Sequence, residues 1–135
     1  MLDRRVHWLR EMTPQELRDR LAALAQAVEA FSRPLLSHIE TRDQALQLRR
    51  ASSSAAANHR AAGRGRSHAE FTSKIGTALE EADETLFWLE HLSDCDLASP
   101  TELKPLLLEA RELVAILTTS THTARRNRHS GVIRR

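Results

Sequence analysis

The chain predicts an all-α fold, an antiparallel up-down-up-down four-helix bundle. Three observations carry that expectation. Ala, Leu, Arg and Glu dominate the composition, and all four are strong helix formers. Only four Gly and four Pro occur in 135 residues, and no β-branched run bounded by turn residues offers a strand. Three capping signatures, each a hydroxyl residue followed three places later by Glu, mark three helix starts. At this length one domain with one core is expected. The bundle is assigned to residues 13–121, an N-terminal arm to 1–12 and a basic, flexible tail to 122–135.

The first signature is Thr13-Pro14-Gln15-Glu16, with the proline at the first helical position. The helix it starts runs to about Phe31. Leu17, Leu21, Leu24, Val28 and Phe31 form one seam by alternating steps of four and three. Pro34 breaks that helix. A second helix is expected from about Leu36 to Gly63. Leu48, Ala51, Ala55 and Ala62 share a face whose small residues would let neighbouring backbones approach closely. Ser67-His68-Ala69-Glu70 starts the third, to about Ser93, with Phe71, Ile75, Ala78, Ala82, Leu86 and Leu89 inward. Ser99-Pro100-Thr101-Glu102 starts the fourth, to about Thr121, on a seam of Leu103, Leu107, Ala110, Val114 and Leu117 widened by Leu106, Leu113 and Ile116.

Two features exceed what an isolated bundle requires. Phe87 and Trp88 lie off the third helix's stripe, and at about 100° per residue Phe87 points nearly opposite it. The fourth helix's stripe is broader than one partner face. Both are expected of an oligomer whose interface includes Phe87 and Trp88.

Charge is segregated. The net charge is only +2. Yet residues 44–68 hold five arginines and no acid, 70–90 hold six acids and one lysine, and 122–135 hold five arginines and no acid. On the second helix Arg42, Arg49, Arg60 and Arg64 fall within a narrow arc, with Arg50 close by. A basic ridge of this kind is the footprint of a phosphate-contacting surface. Arg66, Arg125, Arg126 and Arg128 extend the candidate nucleic-acid-binding set. The rival reading pairs the ridge with Glu80, Asp83 and Glu84, within or between subunits.

Catalytic equipment is sparse, and no enzyme activity, cofactor or metal is expected. Glu80-Glu81-Ala82-Asp83-Glu84 is acid-rich, but no Glu-x-x-His accompanies it, so the di-iron bundle pattern fails. His91 and Cys95 supply two ligands, short of a zinc set. Gly63-Arg64-Gly65-Arg66 lacks the strand context and spacing of a phosphate loop. His59 reads as a packing or surface residue. The single Cys95 fits a reducing compartment. No apolar run approaches the roughly 20 residues that span a bilayer, so no membrane association is expected. The cytoplasm is the expected location.

Ala57-Asn58-His59-Arg60-Ala61-Ala62, Arg64-Gly65-Arg66-Ser67, Glu70-Phe71, Lys74-Ile75 and the run Glu80 to Glu90 together resemble a bacterial four-helix-bundle family, the 23S ribosomal RNA intervening-sequence proteins. That family in turn is similar to the accessory variability protein of diversity-generating retroelements. The likeness covers about Met12 to Ala124. It implies a ring-shaped homopentamer with no enzymatic activity. From the retroelement relative it implies RNA or DNA bound on a basic surface, with a reverse transcriptase as protein partner. The chain departs from the family pattern at His59, where an aromatic is common, at Arg49, where an apolar residue is usual, and at Gly63 and Gly65.

Overall fold

The computed structural model describes residues 12–129, with side chains through 127. Four helices follow one another: α1 Pro14–Ser32, α2 Arg42–Ala62, α3 His68–Asp94 and α4 Pro100–His129, with a 3-10 turn at Pro34–Ser37 between α1 and α2. No strand occurs among the described residues. Short connections make successive helices antiparallel neighbours. Their packed faces close a bundle in which α2 lies on α3, α3 on α4 and α1 on α2 and α4.

The helix starts obey local chemistry. The Thr13 hydroxyl accepts from the Glu16 amide at 3.1 Å, and the Glu16 carboxylate accepts from the Thr13 amide at 3.2 Å. The cap therefore closes in both directions. Ser67 accepts from the Glu70 amide at 3.1 Å. The end of α3 is equally local. Asp96 adopts φ 53°, the Leu97 amide reaches back to the Leu92 carbonyl at 2.9 Å, and Asp96 bonds to Ser93 at 3.2 Å. This is a Schellman ending, here with Asp where Gly is usual, and Leu97 folds onto the core as such endings favour.

The core lies along the bundle axis. Leu17, Leu21, Leu24 and Val28 of α1 meet Leu48 and Ala55 of α2, Ala78, Ala82, Leu89 and Leu92 of α3, and Leu103, Leu106, Ala110, Leu113, Ile116 and Leu117 of α4. Along α2 the buried positions are chiefly alanines, Ala45, Ala51, Ala55 and Ala62. The small-residue face is therefore an inner face.

Several expectations need correction. α2 begins at Arg42 rather than near Leu36. The 3-10 turn ends at Ser37 and His38 is extended, while the Thr41 hydroxyl donates to the Leu35 carbonyl at 2.7 Å and fixes a second bend. α4 does not stop at Thr121. It runs to His129, with Thr121 and Ala124 buried. Residues 122–129 are thus helix, not tail, while 130–135 lie outside the described residues, as does the arm 1–11. Phe71 is 36% exposed and Thr72 is buried in its place. Thr85 is buried beside Leu86, which packs against the core as expected but only partly buried, and the Thr85 hydroxyl donates to the Glu81 carbonyl at 2.8 Å. On α4, Leu106 and Leu113 are buried while Leu107 and Val114 flank the core. In each case the stripe rotates slightly because the helix packs on two neighbours at once.

Candidate functional site

The arginines divide into two groups. In the first, each guanidinium ties two helices together. Arg49, half-buried, bonds across to α1, where it meets the Glu29 carboxylate and the Ser32 hydroxyl, the latter at 3.2 Å. Arg50 faces the other way and clamps α3, pairing with Glu81 at 2.6 Å and with Glu84. Arg20 of α1 reaches α4, where it is bidentate on Glu109 and bonds Glu112 at 3.1 Å. Its pKa is raised further above the usual arginine value, first by the Glu109 hydrogen bond, so it stays charged. Arg111 lies 3.7 Å from Glu90. Partly buried fork-on-carboxylate contacts of this kind fix geometry as well as charge.

The second group ties nothing together. The start of α1, the end of α2, the start of α3 and the end of α4 share one end of an up-down-up-down bundle. The His68 imidazole, 3.0 Å from the Ala124 carbonyl, joins two of these elements directly. Arg18, Arg60, Arg64, Arg66, Arg125 and Arg126 all belong to this end and all are exposed. None of the six has an ion-pair partner among the described residues. Arg128 lies on the last turn of α4, its side chain outside the described residues. Arg42, the remaining member of the expected ridge, sits at the opposite end of α2. At a 1.5 Å rise per residue that is about 27 Å from Arg60.

The single ridge drawn from the helical wheel is therefore corrected. Arg49 and Arg50 are consumed by helix–helix contacts, and Arg42 lies at the other end of the bundle, which Arg33 shares. Arg60 and Arg64 join Arg66, Arg125 and Arg126 in a basic end. Arg18, which the sequence reading missed, completes it. Its position one turn inside a capped helix start, opposite the end of α2, could have flagged it.

The turn that presents Arg64 and Arg66 is tight. A Cβ on Gly65 would come within 3.1 Å of the Ala62 carbonyl and 3.2 Å of the Phe71 amide. The turn therefore lies directly on the first turn of α3, which holds both arginines at the rim. Beside it a recess of about 170 Å³ opens between α1 and α2, lined by Pro14, Gln15, Arg18, His59, Arg60, Gly63 and Arg64. His59 is only 8% exposed and its Nδ1 has no hydrogen-bond partner. Burial, and then the charge of Arg18, push its pKa below the usual histidine value, so the ring is neutral near pH 7.

The opposite end has different chemistry. A larger, open groove of about 410 Å³ there is lined by Leu35, His38, Ile39, Glu40, Thr41, Asp96 and Leu97. Ile39 is 94% exposed.

The remaining expected site residues fall as follows. Phe87 is 54% exposed, and its ring meets Trp88 edge-on at 4.9 Å and stacks near His91 at 6.0 Å. Trp88 is half-buried, and its indole nitrogen is buried without a partner. Glu81 and Glu84 are held by Arg50. Cys95 Sγ lies 3.9 Å from His91 Nε2. Among the described residues no three His, Cys, Asp or Glu side chains gather as metal ligands. No helix among them is long and apolar enough to cross a membrane.

The fold and charge layout define an all-α four-helix bundle with helix-clamping ion pairs and one unpaired basic end. The chain belongs to the 23S rRNA-intervening sequence protein family, whose model matches residues 16–119. A crystal structure of a protein of unknown function from the S23 ribosomal protein family of Bacteroides thetaiotaomicron is similar in fold. It superposes with a TM-score of 0.75 at 24% identity, over 82% of this chain and 99% of that one. A comparison with curated proteins returned no match.

Proposed function

We propose that the protein is a non-enzymatic, oligomeric helical scaffold that binds RNA or DNA through its basic end. The observation that carries this reading is the set of exposed arginines without ion-pair partners among the described residues, Arg18, Arg60, Arg64, Arg66, Arg125 and Arg126. The chain is rich in carboxylates, and they neutralise Arg20, Arg49, Arg50 and Arg111. Six arginines left unpaired at one end form a concentrated positive potential, which favours a polyanion. Phosphate contacts carry little sequence information, so recognition is largely sequence-independent.

The second element is self-association through Phe87 and Trp88, and the family resemblance points to a homopentamer. An exposed Phe87 ring packed edge-on against a half-buried Trp88 is the kind of aromatic surface that a subunit contact covers. A ring would repeat the basic end in every subunit. The alternative is a protein-interaction adaptor. In that reading the exposed arginines serve subunit or partner contacts, as Arg49 and Arg50 serve carboxylates within the chain.

Fluorescence anisotropy with a labelled duplex and a labelled single strand, across a salt series, tests the reading. A steep fall in affinity with salt supports it. Absence of binding at low salt overturns it in favour of the adaptor. Light scattering reports self-association, and a monomer at micromolar concentration overturns that element.

A further inference from the structure

We propose that the recess between the start of α1 and the end of α2 is a site for a phosphate monoester, built by Arg18, His59, Arg60 and Arg64. The inference rests on the nucleic-acid reading for its source, the phosphorylated 5′ end of a strand, but not for its chemistry.

Three observations converge there. First, Arg18 from α1 and Arg60 and Arg64 from α2 line one recess of about 170 Å³ with no carboxylate among the lining residues. The three cations repel one another, and none forms an ion pair among the described residues. The nearest acids in sequence, Glu16 and Asp19, bond to neutral groups instead, Glu16 to the Thr13 amide and Asp19 to the Gln15 side chain at 2.8 Å. Second, His59 is a polar side chain more than nine-tenths buried, on the same recess wall, with Nδ1 unpartnered. Nδ1 itself is closed off from solvent, so an anion in the recess acts on the ring through its charge rather than by a hydrogen bond to that atom. Third, the recess lies at the N-terminus of α1, whose partial positive charge adds to the field.

The geometry selects the kind of phosphate. An internal phosphodiester carries one negative charge and a nucleoside on each side, which suits an open ridge. A terminal monoester approaches two charges and presents three free oxygens. A recess with three guanidinium groups and an imidazole matches such an end group. His59 also couples binding to protonation: an anion beside the ring offsets the effects of burial and of Arg18, and favours uptake of a proton.

The test uses the full chain and two versions of one short single-stranded oligonucleotide, with a 5′-phosphate or a 5′-hydroxyl. Inorganic phosphate is titrated separately while the His59 ring resonances are followed by NMR. The expected result is about tenfold tighter binding of the 5′-phosphorylated strand, together with a saturable shift of the His59 resonances. The Arg18→Gln and Arg64→Gln variants, both at exposed positions, should keep their fold, lose the preference and lose the shift. Equal affinity for the two strands with His59 unmoved by phosphate overturns the site and leaves the nucleic-acid reading standing. A His59 shift with inorganic phosphate, but no binding of either strand, supports the site and overturns the nucleic-acid reading. The ligand is then a small phosphate ester.

Discussion

Arg49 and Arg60 share one arc of the same helical wheel and do different work. Arg49 is half-buried and held by Glu29 and Ser32 of α1. Arg60 is exposed at the rim of a basic recess with no ion-pair partner among the described residues. Arg20 and Arg50 belong with the first, Arg18, Arg64, Arg66, Arg125 and Arg126 with the second. What separates the groups is the residue on the neighbouring helix. Where α1, α3 or α4 presents a carboxylate opposite, the arginine becomes a clamp. Where four helix ends meet, the acids present, Glu16, Asp19 and Glu70, form no ion pair with these arginines among the described residues, and the charge is left for a ligand.

Charge reversal gives the sharpest contrast. An Arg60→Glu/Arg64→Glu variant is expected to lose most nucleic-acid affinity. Its log–log salt slope should fall by about 0.9 for each duplex phosphate contact removed. Its melting temperature should stay close to wild type, because exposed sites without partners contribute within about 0.5 kcal/mol. Arg49→Glu should do the reverse, placing a carboxylate against Glu29 and destabilising the α1–α2 contact while binding at the basic end persists. If Arg49→Glu abolishes binding with the fold intact, the division is wrong and the ridge acts as one surface.

Stability separates the clamps from the core beneath them. Leu21→Ala should cost about 2–5 kcal/mol through an unfilled cavity, since Leu21 is 1% exposed between α1 and its neighbours. Arg20→Ala, one residue away, removes hydrogen bonds to two carboxylates. It should cost about 1–2 kcal/mol after allowance for solvent screening. Urea melts at matched concentration compare the two. A loss for Arg20→Ala as large as that for Leu21→Ala would mean that the clamps rival the core.

Much of this layout was legible in the sequence, and the limits are physical. Helix starts at Pro14 and His68 are fixed by chemistry within one turn, so the capping residues Thr13 and Ser67 place them, while the start at Pro100 follows from the proline at the first helical position. The alanine face of α2 was readable from spacing alone. The start of α2 was not, because the Thr41 hydroxyl bonds to a carbonyl six residues earlier instead of capping a helix. Nor was the end of α4, whose last buried residues, Thr121 and Ala124, are too small and polar to extend an apolar stripe. The basic end was only half visible. Arg60, Arg64 and the C-terminal arginines were candidates from charge alone. Arg18 enters the set only when α1 is laid beside α2, and Arg49 leaves it for the same reason.

The turn between α2 and α3 tests whether the basic end is held rigidly. Gly65→Ala forces a Cβ against the Ala62 carbonyl and the Phe71 amide. Both contacts are backbone and cannot swing aside, so a loss of roughly 1 kcal/mol is expected. Gly63→Ala, whose added Cβ would meet only the Arg60 carbonyl at 3.5 Å, should be tolerated. If Gly65→Ala weakens nucleic-acid binding by more than its loss of stability explains, the positions of Arg64 and Arg66 are set by this turn.

The smallest expected signal is a pH dependence specific to the basic end. His59 is buried as the neutral ring, and burial followed by the charge of Arg18 lowers its pKa below the usual value of about 6.5. The unfolded chain therefore binds a proton at a higher pH than the folded chain does. Stability should be unaffected by this group above about pH 6.5 and should decline as the pH falls below that value toward the lowered folded one. His59→Gln removes the titration, so its stability should flatten across the same window while the wild type declines. Arg18→Gln should leave the onset in place and make the decline smaller, because removing a positive charge that opposes protonation brings the folded pKa closer to the unfolded one. Denaturant melts of the three proteins at several pH values below 7 measure this directly. Identical slopes in wild type and His59→Gln would show that the ring stays solvated. The recess would then be a surface dimple rather than a buried wall awaiting an anion.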